Sequence, residues 1–265
     1  MTDQARKADL FRGLHIPGKP LVLFNVWDAG SAKAVAAAGA KAIATSSWSV
    51  ADANGFADGE KIPLDRAIAN LRRIVAATEL PVTVDLESGY GAAPEDAGRT
   101  AGLAIEAGAI GCNLEDSFPA NGRLRGIDDQ RARIRQVRKA ANASGVAFFL
   151  NARTDVFFQS SAGERGEEML REVIERARAY ADAGADGIFA PGLQDVRLVG
   201  SLAEASPLPL NIMVDASTPA LSVLAGHGVA RISYGPRPYL AAMRALGEAA
   251  RKCAGLSESC RKLDP

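Results

Sequence analysis

The length, composition and charge of the chain narrow the kind of protein it can be. Its 265 residues are 48% hydrophobic and 23% charged, which is typical of a globular protein with a large buried core. The 31 Lys and Arg residues balance the 31 Asp and Glu residues, so the chain lacks the net positive charge with which proteins bind nucleic acids or anionic membranes.

The start of the chain and its cysteines bear on its location. No apolar stretch is long enough for a transmembrane helix, and the opening MTDQARKADLFRG is too polar for a signal peptide. Cys112, Cys253 and Cys260 lack metal-ligand spacing and do not form a disulfide framework. We therefore expect a soluble cytoplasmic protein that binds neither nucleic acid nor a membrane.

Short apolar runs that predict buried strands alternate with segments of helical periodicity along the chain. The apolar runs begin near Leu21, Lys41, Val82, Ile110, Ala147, Gly187, Leu208 and Ala230. The helical segments include Ser31–Ala38, Leu64–Thr78, Pro94–Ala107, Asp128–Ala143, Glu164–Ala183 and Arg237–Lys252. Because the strands are buried on both sides and separated by helices, a parallel sheet is favoured.

The number of strand–helix units distinguishes between two folds. Eight units predict a single (β/α)₈ barrel domain over residues 1–265, a size that is ordinary for such barrels. An open doubly wound sheet is the main alternative, but no Gly-x-Gly-x-x-Gly sequence follows the first strand. Residues 47–63 and 116–127 are the longest irregular stretches after strands, and we expect them to be active-site loops.

Common catalytic groups are missing from the predicted strand ends. The two histidines, His15 and His227, precede the first and the eighth strand, so neither a histidine base nor a histidine-bound zinc is expected. No lysine ends a strand, which leaves a Schiff-base aldolase without its nucleophile. Cys112 lies inside the fourth strand and is expected in the core.

Acids, an amide and an arginine end three consecutive strands. Asp85 and Glu87 end the third strand, Asn113 and Glu115 the fourth, and Arg153 the fifth. Side chains two positions apart in a strand share a face, and barrel chemistry lies at the carboxyl ends of the strands, so these groups are expected at one mouth. Buried acids there require a cation, and Mg²⁺ suits oxygen ligands. Arg153 offers a planar fork for a carboxylate or phosphonate.

Other interpretations of these residues stay open. A structural ion-pair network is the alternative for any single acid. Asp116 is expected to point away from the mouth, towards a helix or loop, and Asp155 could cap the loop that follows it. Ser46 and Ser47, which end the second strand, could stabilise an oxyanion or could be ordinary turn residues.

Five segments, taken in order, resemble the isocitrate lyase/phosphoenolpyruvate mutase superfamily over nearly the whole chain. They are Asn25-Val-Trp-Asp-Ala-Gly-Ser-Ala, Ala44-Thr-Ser-Ser, Val84-Asp-Leu-Glu-Ser-Gly-Tyr-Gly, Asn113-Leu-Glu-Asp and Asn151-Ala-Arg-Thr-Asp. The resemblance implies a (β/α)₈ barrel whose last helix is exchanged between the subunits of a homodimer or homotetramer, and a bound Mg²⁺. It also implies chemistry on a C–C or P–C bond beside a 2-oxo or 2-hydroxy carboxylate, through an enolate-like intermediate.

The resemblance also implies roles for individual residues of this chain. Asp85 would bind the metal directly, and Glu87 and Glu115 would bind it through water. Asp58, in the loop after the second strand, would reach towards the metal waters, and Arg153 would clamp a carboxylate. Ser46 and Ser47 would hold the other end of the substrate, and Asn121 lies in the loop after the fourth strand, where the mutases carry a functional asparagine. The catalytic candidates are Arg153, Ser46, Asp58 and Asn121, and the substrate-binding candidates are Ser46, Ser47, Trp48, Arg153 and Gly89.

Two departures from the family patterns bear on the reaction. The loop Asp116–Gly126 lacks the Lys-Lys-Cys-Gly-His type of sequence whose cysteine serves isocitrate and methylisocitrate lyases as an acid/base. The chain has Asp85-x-Glu87 where the mutases have Asp-x-Asp, and Pro191-Gly192 where they have a histidine. We therefore expect a Mg²⁺-dependent lyase for a small 2-oxo or 2-hydroxy acid. Mutase-type or phosphonopyruvate hydrolase-type P–C chemistry is the alternative, and a barrel that binds oxo acids without catalysis is a further rival.

The loop Asp116–Gly126 is expected to act as a lid. An enolate exposed to water is protonated before productive chemistry can follow, so the site must close. Gly122 and Gly126 permit hinge motion, and Arg123 and Arg125 could reach an anionic substrate. The alternative is a rigid surface loop with solvated arginines.

Overall fold

A computed structural model of the protein describes residues 2–160 and 166–255. Its eight parallel strands pair in the order β1-β8-β7-β6-β5-β4-β3-β2. They are β1 (Leu21–Leu23), β2 (Ile43–Ala44), β3 (Val82–Asp85), β4 (Gly111–Glu115), β5 (Phe149–Arg153), β6 (Gly187–Phe189), β7 (Leu210–Met213) and β8 (Arg231–Ser233). A parallel bridge between Val26 and Thr45 joins the chain after β1 to the chain after β2. The predicted (β/α)₈ barrel and its eight strands are thus confirmed.

The helices pack around this barrel and include all six predicted segments. They are α1 (Asp3–Gly13), α2 (Ala29–Ala37), α3 (Ser47–Ala53), α4 (Leu64–Ala76), α5 (Pro94–Glu106), α6 (Ile127–Ser144), α7 (Glu167–Ala183), α8 (Val196–Ala205), α9 (Leu221–Gly226) and α10 (Arg237–Gly255). Glu164 and Arg165, predicted at the start of α7, lie outside the described residues. Within residues 2–160 and 166–255, no helix has the length and apolarity that a membrane crossing requires.

Helix α3 corrects the expectation of an irregular segment over residues 47–63. Ser46 caps its first turn, and the Ser46 Oγ accepts a hydrogen bond from the Ser49 N–H at 3.4 Å. A helix of seven residues is too short for apolar periodicity to reveal, and isolated helices of this length are unstable in water. Packing at the barrel mouth therefore determines this helix.

Side chains fill the barrel interior beneath the carboxyl ends of the strands. Asn113 Oδ1 accepts hydrogen bonds from Asn151 Nδ2 at 2.9 Å and from Arg231 Nη2 at 3.2 Å. Gly187 makes room for this layer, because a Cβ there would lie 2.7 Å from Asn151 Oδ1. Since Asn113 and Asn151 lie two positions before Glu115 and Arg153, on the same paired strands, they form a layer directly below these two residues.

Candidate active site

The carboxyl ends of β3, β4 and β5 bring together three of the predicted site residues. Asp85 lies opposite Asn113 in the β3–β4 register, and Glu115 lies opposite Arg153 in the β4–β5 register. Arg153 Nη1 is 2.9 Å from Glu115 Oε2. The strand ends therefore place two acids and an arginine at one barrel mouth, as the spacing in the sequence predicts.

Asp85 is held in place by groups from the end of β2. Its N–H donates to Thr45 Oγ1 at 2.9 Å, and its Oδ2 accepts from the Ser47 Oγ at 2.7 Å and from the Ser47 N–H at 3.3 Å. Asp85 Oδ1 is buried and finds no hydrogen-bond donor within residues 2–160 and 166–255. A buried carboxylate oxygen without a donor is costly, so this atom is suited to a cation.

Glu87 reaches the mouth through a turn rather than through strand alternation, which corrects the expectation of a strand that continues to Glu87. Strand β3 ends at Asp85, and Glu87 has a φ of 50°. This left-handed conformation is unfavourable for a residue other than glycine. Two hydrogen bonds fix the carboxylate: its Oε2 accepts from the Glu60 N–H at 2.6 Å and its Oε1 from the Tyr90 hydroxyl at 3.2 Å.

Burial and neighbouring charges raise the pKa values of three acids at the mouth, Glu87, Asp58 and Glu115. Burial, and then the charges of Asp85 and Asp58, raises the pKa of Glu87 to about 7. Partial burial and the charge of Asp85 raise the pKa of Asp58. Burial also raises the pKa of Glu115 well above its ordinary value, although Arg153 acts in the opposite direction. Carboxylates that are partly removed from water and lie close together favour a bound cation.

The side chains of these acids offer only oxygen atoms, which are the ligands that Mg²⁺ prefers. Within the described part of the chain, no three His, Cys, Asp or Glu side chains are placed to hold one ion together. Mg²⁺ usually keeps several waters and takes only one or two carboxylates directly. Asp85 Oδ1 is the oxygen that is available for direct contact with an ion, and the roles of Glu87 and Glu115 towards metal-bound water stay predictions.

Arg153 is oriented by two acids. Its Nε and Nη2 donate to Asp155 Oδ1 and Oδ2 at 2.6 and 3.0 Å, and its Nη1 lies 2.9 Å from Glu115 Oε2. A guanidinium has five N–H donors, so two remain for a substrate carboxylate. Asp155 also accepts from the Ser117 Oγ at 2.5 Å. The Asp155 carboxylate therefore positions Arg153. It does not cap the following loop, which was the alternative interpretation of Asp155.

Asp116 points away from the mouth, as predicted. Its Oδ2 lies 3.1 Å from Arg176 Nη1 and accepts from the Tyr180 hydroxyl at 2.8 Å, and both partners belong to α7. Its Oδ1 accepts from the Asp155 N–H at 3.0 Å. Asp116 thus connects the turn that carries Asp155 to helix α7. Burial raises the pKa of Asp116, although the charge of Arg176 acts in the opposite direction.

Ser46 and Trp48, which are predicted to contact the substrate, contact other residues of the protein in this structure. Ser46 is buried and caps α3, and its Oγ is also 3.2 Å from the Ser49 Oγ. The ring of Trp48 lies 6.0 Å from that of Tyr239 at the start of α10. Ser46 is therefore engaged in its own helix and Trp48 in the last helix, and contacts of either residue with a substrate stay predictions.

Gly89 and Asn121 also have local explanations. Gly89 has a φ of 105°, and a Cβ there would lie 2.7 Å from the Cβ of Ala97, so the packing of α5 requires a glycine. Asn121 is exposed, and its Oδ1 accepts from the Arg123 N–H at 3.0 Å. Roles of these two residues towards a substrate likewise stay predictions.

The loop Asp116–Gly126 folds back on itself, and its two arginines differ. Ser117 and Leu124 form an antiparallel bridge. Arg125 is 3% exposed, its guanidinium lies 4.0 Å from the ring centre of Phe118, and its Nη1 is 3.1 Å from Asp129 Oδ2. This corrects the expectation that Arg125 faces a substrate, because its guanidinium is held against Phe118 of the loop and Asp129 of α6. Arg123 is exposed, so it alone keeps the predicted role.

Sequence reasoning missed Glu60, which follows Asp58 and Gly59. Its N–H binds Glu87, and its carboxylate accepts hydrogen bonds from the turn after β3. The available signal was the Asp-Gly-Glu turn within a segment already predicted to be an active-site loop.

Comparison with known proteins agrees with this architecture. The family model described as phosphoenolpyruvate phosphomutase matches residues 11–254. The 2-methylisocitrate lyase of Escherichia coli K12 is 30% identical over 257 residues, which cover 89% of this chain and 83% of the lyase. A Burkholderia cenocepacia J2315 structure, provisionally assigned as a phosphonomutase, is 56% identical with a TM-score of 0.92 and covers 94% of this chain and 99% of its own.

A 2,3-dimethylmalate lyase structure also matches, with a TM-score of 0.84, 25% identity, and coverage of 100% of this chain and 92% of the lyase. The matches extend over the whole barrel and include the strand ends that carry Asp85, Glu115 and Arg153. The chain therefore belongs to the isocitrate lyase/phosphoenolpyruvate mutase superfamily of enzymes, whose members are lyases and mutases that act on small carboxylates.

Proposed function

We propose that this protein is a Mg²⁺-dependent lyase that cleaves a C–C bond of a small 2-oxo or 2-hydroxy carboxylate. The observation that carries the proposal is the pairing of two groups at one mouth. Asp85 offers a buried carboxylate oxygen that lacks a donor among the described residues, and Arg153 offers a guanidinium fixed by Glu115 and Asp155. Together they can bind a metal ion and a carboxylate side by side.

In this proposal, Asp85 holds Mg²⁺ directly and Glu87, Glu115 and Asp58 bind its waters. The bound ion would supply Lewis-acid stabilisation of the enolate that develops as the C–C bond breaks. Arg153 donates its two remaining N–H groups to the substrate carboxylate and so orients the bond that breaks.

Proton transfer is proposed to come from a group outside the loop Asp116–Gly126. The loop Asp116–Gly126 contains neither cysteine nor histidine, so it offers no acid/base group of the kind that the family's isocitrate-type lyases use. Glu87 is proposed to act as an ionised carboxylate towards a metal-bound water, because a Mg²⁺ ion beside it would lower the pKa that burial and the charges of Asp85 and Asp58 raise. The Tyr90 hydroxyl holds this carboxylate in place.

P–C bond chemistry is the second candidate function. It is favoured by the 56% identity to the Burkholderia cenocepacia protein with the provisional phosphonomutase assignment. The Arg153 fork can bind a phosphonate as well as a carboxylate, because both present paired oxygens to it. The two functions differ in the bond that breaks, so substrates distinguish them directly.

A panel of substrates tests both functions. Purified protein would be incubated with oxaloacetate, 2-methylisocitrate, 2,3-dimethylmalate, phosphonopyruvate and phosphoenolpyruvate, with Mg²⁺ or with EDTA, and products would be identified by NMR. Cleavage of a C–C bond that requires Mg²⁺ and is lost in Asp85→Asn supports the lyase. Phosphorus-containing products support the second candidate. Binding of oxalate without turnover of any compound would support a barrel that binds oxo acids without catalysis. It would overturn both the lyase and the P–C bond chemistry.

The last helix is proposed to pack on a second copy of the chain, in a homodimer or homotetramer. Helix α10 exposes Leu240, Met243 and Leu246, the last of which is 63% exposed. Val22 in β1 and Phe24, which directly follows β1, are also exposed and line a largely apolar groove of about 690 Å³. Apolar surfaces of this kind mark interaction sites, and each can cover the other in a symmetric pair.

Light scattering at micromolar concentration tests the assembly. Wild type is expected to be a dimer or tetramer, and Leu246→Glu is expected to shift it towards monomer. A monodisperse wild-type monomer would overturn this proposal without affecting the assignment of the reaction.

A further inference from the structure

Unfavourable backbone conformations are concentrated beside the acids that are proposed to hold the metal. Within residues 2–160 and 166–255, the non-glycine residues with positive φ are Glu60 at 59°, Glu87 at 50° and Tyr90 at 55°. They lie in two turns, one between α3 and α4 and one after β3. Such conformations persist only where the surrounding structure holds them, and they cluster at functional sites.

Hydrogen bonds join these two turns into a closed ring. The Glu60 N–H donates to Glu87 Oε2 at 2.6 Å, and Glu60 Oε1 accepts from the Ser88 Oγ at 2.7 Å and from the Tyr90 N–H at 2.8 Å. The Tyr90 hydroxyl returns to Glu87 Oε1 at 3.2 Å. Both oxygens of Glu87 are therefore placed by residues of the ring, and Glu60 contributes three of the four hydrogen bonds.

Asp58 lies in the same turn as Glu60. Asp58 precedes Glu60 by two residues, with Gly59 between them at a φ of 85°. On the other side, Gly59 packs against the loop after β4, since a Cβ there would lie 3.2 Å from the Pro119 carbonyl oxygen. The short segment with Asp58 is thus held between the Glu60 ring and that loop.

We propose that Glu60 is a positioning residue of the metal site. Its carboxylate binds the turn after β3 and its N–H holds Glu87, and this arrangement fixes the Glu87 carboxylate near Asp85. The inference rests on the proposed function, because its consequence is the affinity for Mg²⁺. A purely structural role would instead change thermal stability and leave the Mg²⁺ affinity of the folded protein unchanged.

Two substitutions of Glu60 separate these roles. Glu60→Gly keeps the N–H donor and tolerates the left-handed φ, but it removes the carboxylate. Glu60→Gln keeps an oxygen that can accept from Ser88 and Tyr90. Glu79→Gly is the matched control, since Glu79 is a fully exposed loop glutamate outside the ring.

Isothermal titration of the full chain with Mg²⁺, with and without oxalate, is the measurement. Glu60→Gly is expected to weaken Mg²⁺ binding by about 10-fold or more, the usual effect of removing a group that orients metal ligands. Glu60→Gln is expected to restore most of the affinity, and Glu79→Gly to match wild type. Equal dissociation constants for Glu60→Gly and Glu79→Gly would overturn the inference while leaving the proposed function intact.

Failure of the proposed function gives a different result. If wild type itself binds no Mg²⁺ in either titration, the metal-dependent function is wrong and the inference is overturned with it. If circular dichroism shows that Glu60→Gly does not fold, Ser88→Ala replaces it, because it removes one hydrogen bond to the same carboxylate. Several-fold weaker Mg²⁺ binding by Ser88→Ala supports the role of Glu60, and unchanged binding contradicts it.

Discussion

Ser47 donates its hydroxyl hydrogen to Asp85 Oδ2 at 2.7 Å, while Asp85 Oδ1 stays buried with no donor among the described residues. The two oxygens of one carboxylate thus have different roles. Ser47 fixes the orientation of the carboxylate and leaves the other oxygen for a cation. The Ser47 hydroxyl, which the resemblance assigns to substrate binding, is in this structure bonded to the carboxylate that is proposed to hold the metal.

The first prediction follows from this pair. Ser47→Ala is expected to weaken Mg²⁺ binding roughly 10-fold, because Asp85 loses the hydrogen bond that orients it. Asp85→Asn is expected to abolish Mg²⁺ binding, since the amide removes the negative charge. Isothermal titration with Mg²⁺ in the presence of oxalate measures both. Retained binding in Asp85→Asn would contradict the assignment of the direct ligand.

The second prediction concerns pH. Because the pKa of Glu87 rises from 4.5 to about 7 in the folded protein, the folded state keeps a proton there that the unfolded chain loses. The contribution of this group to stability is full below pH 4.5 and is lost as the pH rises through about 7. The change amounts to about 3 kcal/mol, at ~1.4 kcal/mol per pH unit. Asp58 and Glu115 act in the same direction.

Melting temperatures in EDTA test this dependence. The Tm of wild type minus that of Glu87→Gln is expected to fall as the pH rises from about 5 to about 8. Burial lowers the pKa of His15 to about 3, so His15 changes the stability with pH in the opposite direction. Because His15 is present in both proteins, taking the difference cancels its contribution. Saturating Mg²⁺ should reduce the fall, because the ion favours the ionised carboxylate. A difference that does not change with pH would show that burial does not raise the pKa of Glu87.

Regular strands explain which site residues could be predicted from sequence. Strand β4 continues to Glu115, so alternation correctly places Asn113 and Glu115 inside and Asp116 outside, on Arg176 and Tyr180. Side-chain direction follows from the two-residue period alone as long as the strand is regular.

The errors arise where contacts distant in the sequence decide the conformation. Glu87 lies beyond the end of β3 in a left-handed turn, held by the N–H of Glu60, 27 residues earlier in the chain. Arg125 is packed under Phe118 and paired with Asp129. The spacing of Arg125 and Asp129 by four residues is an ion-pair signal that was available in the sequence, whereas the ring contact depends on how the loop folds back.

The third prediction concerns the clamp. Arg153→Lys keeps the charge between Glu115 and Asp155 but loses the planar fork that binds a carboxylate with two N–H groups. We expect a loss of about 2 kcal/mol, or roughly 30-fold in kcat/KM, mostly through a higher KM. Oxalate affinity should fall similarly while Mg²⁺ affinity without oxalate changes little. Unchanged oxalate affinity would show that the carboxylate binds elsewhere.

The fourth prediction uses the difference between the two arginines of the loop Asp116–Gly126. Arg123 is exposed near the tip, whereas Arg125 is buried against Phe118 and Asp129. If the loop closes over the site as a lid, only the exposed arginine can reach an anionic substrate, because moving the buried one would break its contacts with Phe118 and with Asp129 of α6.

Single alanine substitutions of the two arginines therefore have different expected effects. Arg123→Ala should lower kcat/KM about 10-fold on a confirmed substrate and leave the Tm unchanged, because one solvent-exposed charge that meets the substrate on closure is lost. Arg125→Ala should instead destabilise the protein by about 1–3 kcal/mol, through the lost ring contact and the unpaired Asp129. Steady-state kinetics and thermal unfolding of both variants provide the comparison. Unchanged kinetics in Arg123→Ala would make the loop a rigid part of the scaffold and leave substrate binding to Arg153 and the metal site.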